Sequence, residues 1–132
     1  MKRIISAILL CVLCLGCVFA LASCGSPSKD PEKAKKALEN SGYTVVMTKG
    51  EKTGNDKIDT MLSASIANSD NMITISYYND SSAAKEAYDL AKDAVKELNK
   101  LAKKNNKETK YEAGRSGKMV WIGTETAVEA AK

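Results

Sequence analysis

The sequence contains no histidine, and it confines its four cysteines to the first 24 residues (Cys11, Cys14, Cys17 and Cys24). The first absence removes the commonest general base and the commonest metal ligand. The second leaves residues 25–132 without a thiol, so no internal disulfide, thiol nucleophile or Cys/His zinc site can form there. A Ser-His-Asp mechanism is impossible; a Ser-Lys dyad stays formally open, with no motif pointing to one. G-x-S-x-G, Walker and dinucleotide fingerprints are all missing. Asn68-Ser69-Asp70-Asn71 lacks the spacing and the closing Glu of a calcium-binding EF-hand loop. The carboxylate pairs Asp56/Asp59, Asp89/Asp93 and Glu125/Glu129 are interleaved with lysines and read as solvated charge. The expectation is a protein that is not an enzyme and that carries no cofactor and no metal.

Lys2 and Arg3 precede an uncharged, mostly apolar stretch from Ile4 to Ser23. This is the pattern of a signal peptide over residues 1–23. An uncleaved transmembrane helix is the alternative, since about 20 residues nearly span a bilayer. Within the stretch, Cys11, Cys14 and Cys17 have C-x2-C-x2-C spacing, but Val12, Leu13, Leu15 and Gly16 between them make these small hydrophobes of the apolar run rather than iron–sulfur ligands. The stretch ends in Leu21-Ala22-Ser23-Cys24, followed by Gly25. That tetrapeptide resembles the lipobox of bacterial lipoprotein precursors. Cys17 is a poorer acylation site, because its −3 residue is Cys14 and the apolar run before it is short. The resemblance implies cleavage before Cys24, a diacylglyceryl thioether on its sulfur, and two or three acyl chains in all. One chain alone binds membranes marginally, whereas two or more anchor firmly. The implied location is the extracytoplasmic face of the cell membrane. Gly25 in place of Asp implies no inner-membrane retention if the host has two membranes.

Residues 24–132 number 109, and without Lys2 and Arg3 the remaining 18 basic residues face 16 acidic ones. A net of +2 is too weak to argue for nucleic acid as a partner. A chain of this length forms one domain and buries roughly two-thirds of its unfolded surface, enough to fold without staples. Residues 24–30 read as the lipidated Cys and a polar tether reaching only about 20 Å. The domain is expected from residue 31 to residue 132. A short tether before one compact α+β domain resembles the small single-domain lipoproteins of Gram-positive bacteria, a likeness that brings no functional residues with it.

Pro31 suits a first helical turn with Asp30 as N-cap, and Gly42 ends that helix. Tyr43 to Thr48 reads as a strand. The next stretch fits two periods: Ile58, Met61, Leu62 and Ile66 follow a helical face, while Leu62, Ala64 and Ile66 alternate with serines as in a strand. A hairpin about Asn68–Asn71 sets Ile66 opposite Ile73, Ala64 opposite Ile75 and Leu62 opposite Tyr77, with Ser63 and Ser65 matched on the other side. A register that satisfies both faces favours the hairpin. Asp80 then caps a long amphipathic helix, from Ala84 to Ala102, that stops at Asn105-Asn106. Residues 109–123 form a second hairpin about Ser116-Gly117, with Tyr111 opposite Ile122 and Glu112 opposite Trp121. Thr124 caps a final short helix. The order α-β-β-β-α-β-β-α predicts an α+β fold, an antiparallel sheet of about five strands with helices on one face.

If Val45, Leu62, Ile73, Ile75, Val120 and Ile122 point at the helices, the residues between them point away. Trp121, Tyr78, Met72, Met119 and Met61 would then form an apolar patch on an open face. Such patches mark interaction sites, and Trp, Tyr and Met are enriched at interface centres. The competing expectation is that Trp121 is ordinary core. Lys100, Lys103, Lys104 and Lys107, with Lys110, form a basic cluster; it complements a helix C-terminus, and beside a membrane it could meet anionic headgroups. The functional expectation is a membrane-anchored, non-enzymatic interaction module whose partner is another protein or a second copy. The alternative is a small-ligand-binding lipoprotein with its site under the Lys49–Lys57 loop.

Overall fold

The computed structural model describes residues 26–132; the signal segment 1–23 and the acylation site Cys24 lie outside the described residues. Three helices and five strands follow in the expected order: α1 (Pro31–Asn40), β1 (Thr44–Lys49), β2 (Ile58–Ser65), β3 (Met72–Tyr78), α2 (Ser81–Lys104), β4 (Tyr111–Ser116), β5 (Met119–Thr124) and α3 (Glu125–Ala130). A single turn of 3-10 helix, Gly50–Lys52, joins β1 to the loop before β2. The fold is α+β, and its one sheet is antiparallel with strand order β1-β2-β3-β5-β4.

The helix boundaries follow from local chemistry. Asp30, Asp80 and Thr124 each cap a helix by accepting a backbone N–H, from Glu32, Ala83 and Ala127 respectively. Such caps contribute about 1 kcal/mol apiece by satisfying orphan donors. α1 and α2 end in the same device. Gly42 (φ 91°) donates to Glu39 O while Tyr43 donates to Leu38 O; Asn106 (φ 57°) donates to Lys103 O while Lys107 donates to Ala102 O. These paired bonds close the Schellman motif, with Gly or Asn in the left-handed position.

Both hairpins form, each two residues out of the expected register. Leu62 pairs with Ile75 and Ala64 with Ile73, leaving a six-residue connection from Ile66 to Asn71. Asn68 takes φ 61° there, and Asn71 N–H donates to Ser69 Oγ, so the turn chemistry occupies more chain than a tight turn would. In the second hairpin Ala113 pairs with Ile122 and Ser116 with Met119, around the two-residue loop Gly117-Lys118. Gly117 has φ 63°. A glycine at the first central position is the type II′ signature, which matches the twist of the strands. A slip of two preserves which face each side chain takes.

The helices do not share one face. α1 and α3 cover the first face: Ala34 and Leu38, with Ala127, Val128 and Ala131, pack on Leu62, Ala64, Ile73, Ile75, Met119 and Trp121. α2 covers the second face, where Ala84, Ala87, Tyr88 and Ala91 pack on Tyr78, Ala113, Val120 and Ile122. The expectation of helices on one face is corrected here. β5 is buried on both sides, and Met119-Val120-Trp121-Ile122 is accordingly a continuous apolar run. Burial of Leu38, Leu62, Ile73 and Ile75, all essentially inaccessible, contributes roughly 1.5–3 kcal/mol each.

The segment read as a free tether is docked. Pro27 is fully buried, Ser28 N–H donates to Ala131 O (3.0 Å), and Tyr77 Oη donates to Ser28 O (2.9 Å). Burial, reinforced by the Asp30 carboxylate, drives the Tyr77 phenol far above its ordinary range, so it stays a hydrogen-bond donor. The folded unit therefore reaches back to Pro27.

Candidate functional site: the half-covered second face

α2 crosses only part of the second face. It packs on β4, β5 and the near side of β3, and among the described residues it leaves the second face of β1 and β2 without a helix. The uncovered side chains there are Thr44, Val46 and Thr48 on β1, and Met61, Ser63 and Ser65 on β2, continuing into Met72 and Thr74 on β3. None is charged, in a chain with 27% charged residues. Val46 is 59% exposed and Met72 38%.

The wall beside this uncharged floor is apolar. Helical periodicity splits the exposed surface of α2 into two flanks. One carries Ala87, Leu90, Ala94 and Leu101; Leu90 is 72% exposed and Leu101 54%. The other carries Lys85, Lys92, Lys96 and Lys103, all exposed, with the Lys92 ammonium 4.8 Å above the Tyr88 ring. The apolar flank is the one turned to the open floor: Leu90, Ala87 and Ala94 line a groove of about 280 Å³ with Thr74, Ser76 and Tyr78. Floor and wall together make an L-shaped surface without charge.

The expected patch is split by the structure. Tyr78, Met61 and Met72 lie on the second face as anticipated, with Tyr78 and Met61 half-buried. Trp121 and Met119 do not. Trp121 pairs with Ile75 and Met119 with Tyr77, which turns both into the first-face core, where Trp121 is 5% exposed and Met119 2%. The indole lies flat on Gly114: a Cβ there would come within 2.6 Å of Trp121 Cε2. Only glycine leaves room for the ring. Trp121 Nε1 has no hydrogen-bond partner among the described residues. Leu90 lies off the main apolar stripe of α2 and did not enter the sequence-based patch; its i−3, i+4 and i+11 spacing from Ala87, Ala94 and Leu101 is the signal that points to it.

The basic cluster is real in position but partly neutralised. Lys100, Lys103, Lys104 and Lys107 are all exposed at the C-terminal end of α2. Lys107 Nζ pairs with Asp70 at 3.2 Å, where Thr109 Oγ1 also donates, and Lys100 reaches Glu97 at 3.7 Å. Asp70 lies before the start of β3, whereas the docked Ser28 binds Tyr77 beside its end.

The loop after β1 forms no apolar pocket. The hollow there is lined by Lys49, Gly50, Glu51, Asp56, Ile58, Asp59 and Asn79, with no aromatic. Asn79 ties the loop to the sheet by donating to Asp56 O. On the first face, Glu112 sits near Glu125 and Glu129; burial first, then these neighbours, raises its carboxyl above the ordinary range, against the pull of Lys132. Among the described residues no His/Cys/Asp/Glu group is arranged to hold a metal ion, and no helix is long and apolar enough to cross a membrane. Comparison with known proteins returns no matching family model, curated protein or solved structure.

Proposed function

We propose that the protein is a lipoprotein held by acyl chains on Cys24 at the extracytoplasmic face of the cell membrane, and that its domain is a non-enzymatic interaction module. The lipobox Leu21-Ala22-Ser23-Cys24 supports the location. The docking of Ser28 and Pro27 supports a domain held close to the bilayer, because only Gly25 and Ser26 separate Cys24 from buried chain. The observation that carries the interaction role is the uncharged L-shaped surface of the second face, with Leu90 the most exposed of its large apolar residues. Exposed apolar side chains such as Val46, Met72 and Leu90 on a surface without charge mark contact sites. The groove beside Leu90 supports a second reading, a small apolar ligand held between α2 and β3.

Labelling of the full precursor with an alkynyl fatty acid in a bacterial host tests the anchor: the wild type takes label and sediments with membranes, and Cys24→Ser does neither. Equal labelling of the two refutes it. In the same cells, cross-linking of wild type against Leu90→Glu and Met61→Glu tests the surface. Identical captures by proteins of equal thermal stability would remove this face from consideration.

A further inference from the structure

The sheet has two edges, and they are treated differently. The β4 edge carries Glu112 and Arg115 and is clamped from α2. The Asn99 side chain accepts from Tyr111 N–H (2.8 Å) and donates to Tyr111 O (3.0 Å), standing in for a neighbouring strand. The β1 edge has no such guard among the described residues. β1 pairs with β2 alone, contains no proline or bulge, and is uncharged from Thr44 to Thr48. Edge strands that must stay single are usually blunted by charge, bulge or cover.

We infer that β1 is a self-association edge: two copies join β1 to β1 in antiparallel register about a two-fold axis at Val46, making one continuous ten-stranded sheet. The sequence of β1 is self-complementary in that register. Val46 faces its own counterpart, Thr44 faces Thr48, and Val45 faces Met47, while Lys49 falls opposite Tyr43, so no like charges meet. β-Branched pairs and Thr–Thr pairs are favourable directly across strands. A second copy fits this edge better than an unrelated strand, because every pairing it needs is present in Thr44–Thr48 itself. The union also sets the two open floors side by side between two α2 helices, doubling the uncharged platform. Pairing uses the free backbone edge of β1, whereas the proposed contact surface is the sheet face; Thr44, Val46 and Thr48 border both, but edge pairing does not require that face to bind anything.

The test uses two epitope-tagged copies of the full chain co-expressed in a bacterial host, with both the membrane and the soluble fractions probed. Wild-type copies co-purify. Val46→Lys on both copies sets like charges directly opposite at the axis and lowers co-purification about tenfold. Val46→Lys on one copy with Val46→Glu on the other restores it, which excludes misfolding as the cause. Absence of co-purification in wild type, indifference to the Lys/Lys pair, or failure of the Lys/Glu pair to recover each overturns self-pairing through β1. Recovery of tagged protein in the soluble fraction refutes the lipid anchor, while the co-purification pattern in that fraction still decides the edge.

Discussion

Replacement of Trp121 by alanine separates a core role for this residue from a surface role. The indole is 5% exposed, lies opposite Ile75 on the first face, and is seated on Gly114. Truncating a buried Trp costs about 3–5 kcal/mol through lost transfer energy and the cavity left behind. One term works the other way. Trp121 Nε1 is buried without an acceptor among the described residues, and removing such a group returns about 1 kcal/mol. The net loss is about 2–4 kcal/mol, out of the 5–15 kcal/mol typical of a whole domain. At roughly 4–8 °C per kcal/mol for a domain of about 100 residues, the midpoint falls by about 8–32 °C. Circular dichroism melts of the purified chain measure this without needing the tryptophan. Met72→Ala is the control: Met72 is 38% exposed on the open face, and its truncation costs under about 1 kcal/mol. If Trp121→Ala melts within 3 °C or so of wild type, the placement of Trp121 between α1, α3 and the sheet is wrong.

Three further outcomes follow from the same packing. Glu112→Gln raises the melting temperature at neutral pH, because the folded state holds the carboxyl proton more tightly than the unfolded chain and loses stability as pH rises through that range; the gain vanishes in melts run below the ordinary carboxylate range, and a gain independent of pH would refute the cause. Asn99→Ala strips both bonds from Tyr111 and costs about 1–3 kcal/mol in denaturant unfolding, since it leaves a backbone N–H and C=O of the edge strand without a partner. Gly114→Val drives a side chain into the indole ring and costs about 1–3 kcal/mol, read as a red shift and earlier loss of the emission of the chain's single tryptophan.

Much of the fold was legible in the sequence because its signals are local. Asp30, Asp80 and Thr124 cap what they appear to cap, and Gly42 and Asn106 terminate helices through bonds that lie within a few residues. The hairpin pattern survived a two-residue error in register, since side-chain direction in a strand depends only on odd or even position. The face assigned to Trp121 did not survive. Its side is set where β5 meets β3, two strands 46 residues apart when Ile75 and Trp121 are compared, with no turn between them to fix parity. The unbroken run Met119-Val120-Trp121-Ile122 was the available sign that β5 is covered on both faces, and it requires a helix on each.

The sequence by itself determined the element order, the helix ends, the alternation within each strand, the absence of histidine and of thiols beyond Cys24, and the lipobox pattern. Each is a property of neighbouring residues or of composition. Only the tertiary structure decided that α2 lies across the sheet from α1 and α3, that Trp121 and Met119 are core, and that Pro27 is buried. It also decided that the exposed apolar surface is the Val46, Met72 and Leu90 side of the molecule, and that among the described residues β4 is guarded while β1 is not. The physical reason is common to all of these. They depend on which strands become neighbours and on how much sheet a single 24-residue helix can cover, and both are settled by contacts between segments far apart in the chain.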